Sequence, residues 1–264
     1  GELQGALDAI ETNAPVALRK RAVALLSHTS PEKAVPVLGS LLDNASLGEK
    51  QAACEALGNL DHASAAELLR DWMQRINNDK VEGGLILDIL EAANKHESLK
   101  PLVTAREQAT KLLGPLGAYN MCIDGGNANA GRKVFHNFEA TRCTRCHTLN
   151  NQGGNAGPVL NGVGKRLQPN KLLESLIQPS AEIAEGFGTT TIEMKGGALF
   201  AGVITKDQDG AITLVDINGK SHQLVWDKIK SRSPSKESAM PMMGGSLTKR
   251  QLRDLIAFLK KQNK

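Results

Sequence analysis

Apolar positions recur at helical spacing through the first 118 residues of the chain. They fall into paired stretches separated by short polar breaks. Residues 16–44 align on 47–75 at an offset of 31, which superposes Leu26 on Leu57, Ala34 on Ala65, Val37 on Leu68, Leu38 on Leu69 and Leu41 on Trp72. Each stretch predicts two amphipathic helices. In the first, Val16–Leu26 and Ala34–Leu42 flank a break at His28-Thr29-Ser30-Pro31, with Ser30 as the cap and Pro31 in the first turn. In the second, Leu47–Leu60 and Ala63–Ile76 flank Asp61, the expected cap. A looser third copy has one stripe at Leu85, Ile86, Ile89 and Leu90, and another beginning at Leu102 and Val103. Two helices per unit with a period of about 30–45 residues predict a HEAT-like α-solenoid, whose hairpins bury their faces only by stacking. Gly114-Pro115-Leu116-Gly117 and Asp124-Gly125-Gly126-Asn127 end this pattern, so 1–118 is read as the repeats and 119–128 as a linker.

The second half changes period twice. Asn129 is placed to cap a helix starting at Ala130, with Gly131 and Phe135 on one face, and Pro169–Ile177 carries Leu172, Leu173 and Leu176. From about 189 to 230 the pattern alternates. Thr189–Met194, Leu199–Thr205, Ala211–Ile217 and Ser221–Trp226 read as strands, and Asp207–Gly210 and Asn218-Gly219 read as turns. Trp226 is read as a core aromatic of this sheet, or as a residue at the edge of a bound group. The final segment returns to helix at about 249–262. Thr248 with Gln251 makes a capping box, and Leu252, Leu255, Ile256 and Leu259 make an apolar stripe. The expected fold is mainly α: a HEAT-like solenoid, then a domain at 129–264 that closes its first helix on its last around a small antiparallel β insertion.

Composition supports two modules. Aromatic residues make up only 3% of the chain, which suits helical repeats better than a β-sandwich. Residues 1–118 carry 12 Lys and Arg against 16 Asp and Glu, whereas 119–264 carry 20 against 12. The basic half has no nucleic-acid-binding motif, and no apolar run reaches the ~20 residues of a membrane span. A basic surface there can steer an acidic partner or belong to an ordinary solvated face. His28, His62 and His96 sit at hairpin turns without a cluster of further ligands.

The chemistry is concentrated at Cys143-Thr144-Arg145-Cys146-His147. C-x-x-C-H is the spacing for covalent attachment of c-type haem: each thiol adds to one porphyrin vinyl group, and the adjacent His reaches the iron as the proximal ligand. A zinc or redox dithiol is the alternative. A ligating imidazole needs its other nitrogen held by an acceptor, and Pro158, in the glycine-rich run 152–160, is the expected carbonyl. The sixth ligand is expected from Met240-Pro241-Met242-Met243. Met240 is preferred, Met242 and Met243 compete, and His222 offers a bis-His alternative. Met194 is assigned to the sheet, His136 to its helix, and Cys54 to the solenoid core.

The series Gly131-Arg132-Lys133-Val134-Phe135, Cys143–His147, Gly157-Pro158-Val159-Leu160, Leu172-Leu173-Glu174-Ser175, Pro179-Ser180, Ala239-Met240-Pro241 and Asp254–Leu259 resembles a bacterial haem-binding c-type cytochrome family of planctomycete type. In that family the cytochrome often follows HEAT-like repeats and a dehydrogenase-like β-propeller. The resemblance implies a class I-like cytochrome c domain with one covalent haem c, held by Cys143 and Cys146 and ligated by His147 and Met240. It further implies one-electron transfer between a dehydrogenase donor and a cytochrome or oxidase acceptor. The chain contains no propeller, so dehydrogenase activity would lie in sequence beyond it. C-x-x-C-H maturation outside the cytoplasm predicts a periplasmic or exported location. A gas sensor or haem enzyme would instead need an open sixth site. A scaffold would use the solenoid for a partner and the haem for structure.

Overall fold

A computed structural model of the chain describes Gly5 and residues 14–26, 31–138 and 142–263. The chain divides into two compact units, Gly1–Gly125 and Gly126–Lys264.

The first unit is a two-layer stack of helical hairpins: α1 (Val16–Leu26), α2 (Pro31–Asn44), α3 (Leu47–Asn59), α4 (Ala63–Asn77), α5 (Gly83–Ala93) and α6 (Lys100–Lys111). Helices two apart in sequence are neighbours, α1 on α3 and α3 on α5 in one layer and α2 on α4 in the other. This is how hairpins with the repeated apolar stripe must bury it. Leu38, Leu57, Leu69, Leu85 and Ile89 are fully buried at the repeat positions, and Cys54 joins them.

The break at His28-Thr29-Ser30, with its proposed cap, lies outside the described residues. The cap of α4 is His62 rather than Asp61. Its Nδ1 accepts from the Ser64 backbone N–H at 3.3 Å, a role an imidazole fills when that nitrogen is unprotonated. His96 is buried and meets the Leu57 carbonyl through Nε2 at 3.0 Å. Of the segment expected to be linker, Gly117–Cys122 forms a 3₁₀ turn with Met121 and Cys122 buried. Gln51 Nε2 donates to the carbonyls of Gly84, 3.0 Å, and Gly125, 2.8 Å, fastening this end of the unit.

The second unit is built on α7 (Ala128–Asn137) crossed by α10 (Lys249–Lys260), with the single-turn α8 (Val163–Arg166) and α9 (Pro169–Ile177) beside α10. Asn127, not Asn129, caps α7: its Oδ1 accepts from the Asn129 and Ala130 N–H groups at 2.9 and 3.3 Å. Its own N–H donates to Asp254 of α10 at 2.7 Å, a tertiary contact that favours Asn127 over its neighbour. The Thr248/Gln251 capping box begins α10 as its sequence predicts.

The crossing requires a glycine. A Cβ on Gly131 would lie 1.8 Å from the Asp254 carbonyl oxygen. Phe135 and Phe258 then meet with centroids 5.5 Å apart.

Between α9 and α10 lies a five-stranded antiparallel sheet of β3 (Gly188–Met194), β4 (Leu199–Gln208), β5 (Ala211–Val215), β6 (Ser221–Val225) and β7 (Ile229–Ser238), in the order β6-β5-β4-β3-β7. The insertion therefore runs to residue 238 and has a strand more than the alternating pattern predicts. One face buries Ile192, Ile212, Leu214 and Leu224, with Met194 packed against them. Trp226 is not a core aromatic: 43% of it is exposed, and its Nε1 donates to Asp207 at 2.8 Å. His222 lies in β6 and pairs through Nε2 with Asp216 at 2.8 Å.

Candidate haem site

Cys143–Arg145 form one 3₁₀ turn, closed by the His147 N–H donating to the Cys143 carbonyl at 2.9 Å. A glycine-rich return wraps this turn. Gly154 N–H donates to Thr144 O at 2.9 Å, and Gly157 N–H donates to Cys146 O at 2.8 Å. The two-residue strands β1 (Thr148–Leu149) and β2 (Gln152–Gly153) pair between them. The return passes too close for side chains. A Cβ on Gly154 would lie 1.9 Å from Arg145 O, and one on Gly157 would lie 2.6 Å from His147 Cε1.

That approach aligns the imidazole. His147 Nδ1 lies 2.8 Å from the Pro158 carbonyl oxygen. A carbonyl only accepts, so Nδ1 carries the proton and Nε2 keeps its lone pair. Burial lowers the His147 pKa against the opposing pull of the carbonyl, which favours the neutral ring that a metal needs. Burial raises the Cys146 pKa, offset in part by the positive charge of Arg145. Arg166 was not singled out in the sequence. Its guanidinium donates to Val159 O at 2.7 Å and to Asn161 O, and so braces the loop that presents Pro158.

The three clustered methionines occupy different environments. Met240 is half-buried, and its N–H donates to Ser238 Oγ at 3.1 Å. Met242 is 70% exposed. Met243 is 3% exposed and starts a 3₁₀ turn that packs on α9 and α10. Ala239, directly before Met240, shares an apolar cluster with Cys146. Leu172, Leu173 and Leu176 are buried, whereas Leu167 is more than a third exposed.

The donor set suits haem c. It has two half-buried thiols at the attachment spacing, an imidazole with Nδ1 engaged and Nε2 open, and a thioether on a loop tied to the same cluster. Among the described residues there is no group of three or more His, Cys, Asp or Glu arranged for a metal ion. Among them, too, no helix is long and apolar enough to cross a membrane.

Comparison with protein families gives the two halves separately. Residues 3–87 match HEAT repeats, and residues 128–211 match cytochrome c. No curated protein matches the chain. A HEAT-like repeat region is thus followed by a cytochrome c domain. That domain implies covalently bound haem iron, haem-based electron transfer and redox partners in general. Met240 and strands β6 and β7 lie beyond the matched residues.

Proposed function

We propose that the second unit is a mono-haem c-type cytochrome whose iron is ligated by His147 and Met240, and that it passes single electrons between partner proteins. Cys143 and Cys146 would hold the porphyrin through two thioethers, each thiol adding its S–H across one vinyl double bond so that sulfur bonds one vinyl carbon and hydrogen the other. When bound, the haem supplies an iron that alternates between ferric and ferrous states, one electron at a time. The chain supplies the rest. Pro158 O fixes the His147 tautomer through Nδ1, Gly157 leaves room for the ring, and Arg166 steadies the loop that carries the carbonyl. A thioether at the sixth position favours ferrous iron and raises the potential.

The observation that carries this reading is the 2.8 Å His147 Nδ1–Pro158 O hydrogen bond beside the C-x-x-C turn. A redox dithiol has no use for an imidazole held in this way, and directly after two thiols at the attachment spacing a ligating imidazole suits haem c. We assign the donor to a dehydrogenase and the acceptor to a cytochrome or oxidase, in a periplasmic or exported compartment where C-x-x-C-H haem is matured. The test is expression in a cell able to attach c-type haem, followed by denaturing electrophoresis and haem staining. Haem should stay with the chain and be lost in the double variant Cys143→Ala, Cys146→Ala. Haem that leaves the parent chain on denaturation would end the proposal.

A further inference from the structure

The five-stranded sheet has a second apolar face, opposite the cluster of Ile192, Ile212, Leu214 and Leu224. Val203 of β4 and Val215 of β5 are buried there with Ala156, and Cys146, Phe187 and Ala239 pack against them. One cluster therefore joins three separate stretches of chain: the attachment turn, through Cys146; the glycine-rich return, through Ala156; and the Met240 loop, through Ala239. A second contact repeats the connection. Gly219, at the β5–β6 turn with φ +76°, sits where a Cβ would lie 2.5 Å from Arg145 Cγ, so the turn rests on one of the two residues between the cysteines. That turn is held by Asp216, whose carboxylate accepts from Asn218 N–H (2.9 Å), Lys220 N–H (3.0 Å) and His222 Nε2 (2.8 Å). At the other end of the sheet, the Ser238 N–H donates to Ser180 Oγ at 3.0 Å and Ser238 Oγ accepts from the Met240 N–H, so β7 ends directly in the Met240 loop.

We infer that the β insertion is a clamp on the axial-ligand loop: Val203 and Val215 act as positioning residues that hold the Met240 loop closed against the attachment turn. This rests on the assignment of Met240 as the sixth ligand. The loop 239–242 has no regular secondary structure of its own, and Pro241 and Met242 are exposed. Met243, packed on α9 and α10, fixes the far end of the loop, and its near end is anchored by Ala239 in the cluster and by Ser238. An external ligand can reach the iron only while the loop is open, so its apparent affinity is scaled by the open fraction. Hydroxyls placed in the cluster without partners disfavour the closed state and enlarge that fraction.

The test is imidazole binding to the ferric, haem-loaded full chain, followed optically. Val203→Thr with Val215→Thr keeps side-chain shape and adds two hydroxyls. It should tighten apparent imidazole binding by about tenfold to a hundredfold. Val215→Thr alone should give a smaller change in the same direction and serves if the double variant does not fold. Ile212→Thr, on the opposite face of the same sheet, should stay within about twofold of the parent. Unchanged binding in both valine variants would overturn the clamp. An equal rise in Ile212→Thr would overturn it too, by showing general softening of the sheet. A parent lacking the weak ferric band of Met-sulfur ligation would overturn the ligand assignment and the clamp together. A Met-ligated parent with unresponsive valine variants overturns the clamp alone.

Discussion

Gly131→Ala should weaken the second unit although alanine is the better helix former. In an exposed helix interior the change favours folding by about 1 kcal/mol. At this crossing the added Cβ would stand 1.8 Å from Asp254 O and 2.4 Å from Asp254 C. A carbon needs about 3.3 Å from a carbonyl oxygen, so α7 and α10 must separate by about 1.5 Å. Overpacking of this kind costs about 1–3 kcal/mol, and loosening the Phe135–Phe258 pair at 5.5 Å adds about 0.5–1.5 kcal/mol. Packing outweighs propensity, leaving a net loss of about 0.5–3.5 kcal/mol.

For a domain of this size that lowers the melting midpoint by about 2–4 °C per kcal/mol. Haem absorbance is the appropriate probe because it reports on the second unit alone, in a chain with two compact units. Gly245→Ala, where a Cβ meets nothing within 4 Å, is the control and should shift stability by less than about 0.5 kcal/mol. A Gly131→Ala protein as stable as its parent, or more stable, would refute the argument that close approach of the helices requires this glycine.

Other positions carry equally direct expectations. Gly157→Ala puts a Cβ 2.6 Å from His147 Cε1, so the ring must turn away from Pro158 O; part of the ferric haem should become high-spin, and an unaltered spectrum would contradict this. In the solenoid, hydrogen bonds from Arg19 and then from the Ser46 hydroxyl lower the Glu49 pKa from 4.5 to about 2, against the opposing effect of burial. A depressed carboxyl pKa contributes stability above about pH 4.5 that is lost as pH falls towards 2. Glu49→Gln should cost about 1–3 kcal/mol at neutral pH and flatten the acid dependence of unfolding in that window; a variant with the parent's acid slope would contradict the ion pair's role.

The repeats were legible because stacked hairpins impose the same apolar positions on each copy: Leu38, Leu57 and Leu69 are buried where the 31-residue offset predicts. Gly131 was legible as a small residue facing a helix, and the Thr248/Gln251 box as a cap, because both signals are local. The fifth strand was not. Ile229–Ser238 reads I-K-S-R-S-P-S-K-E-S, and an exposed edge strand needs no alternating apolar face. Two caps were displaced by one or two residues, to His62 and Asn127, because neighbouring side chains compete for the same backbone N–H groups, and at Asn127 a tertiary contact to Asp254 favours it. The roles of Arg166 and of Val203 and Val215 depend on which segments the fold brings together, which spacing along the chain does not encode.

The central claim is best tested by the visible spectrum of the haem-loaded chain, oxidised and then reduced, with and without carbon monoxide, beside Met240→Ala. His147/Met240 electron transfer predicts a sharp low-spin spectrum in the parent, with the weak ferric band of sulfur ligation and no response to carbon monoxide. Met240→Ala should lose that band and bind the gas. A high-spin parent that binds carbon monoxide readily, or a Met240→Ala variant indistinguishable from the parent, would contradict it.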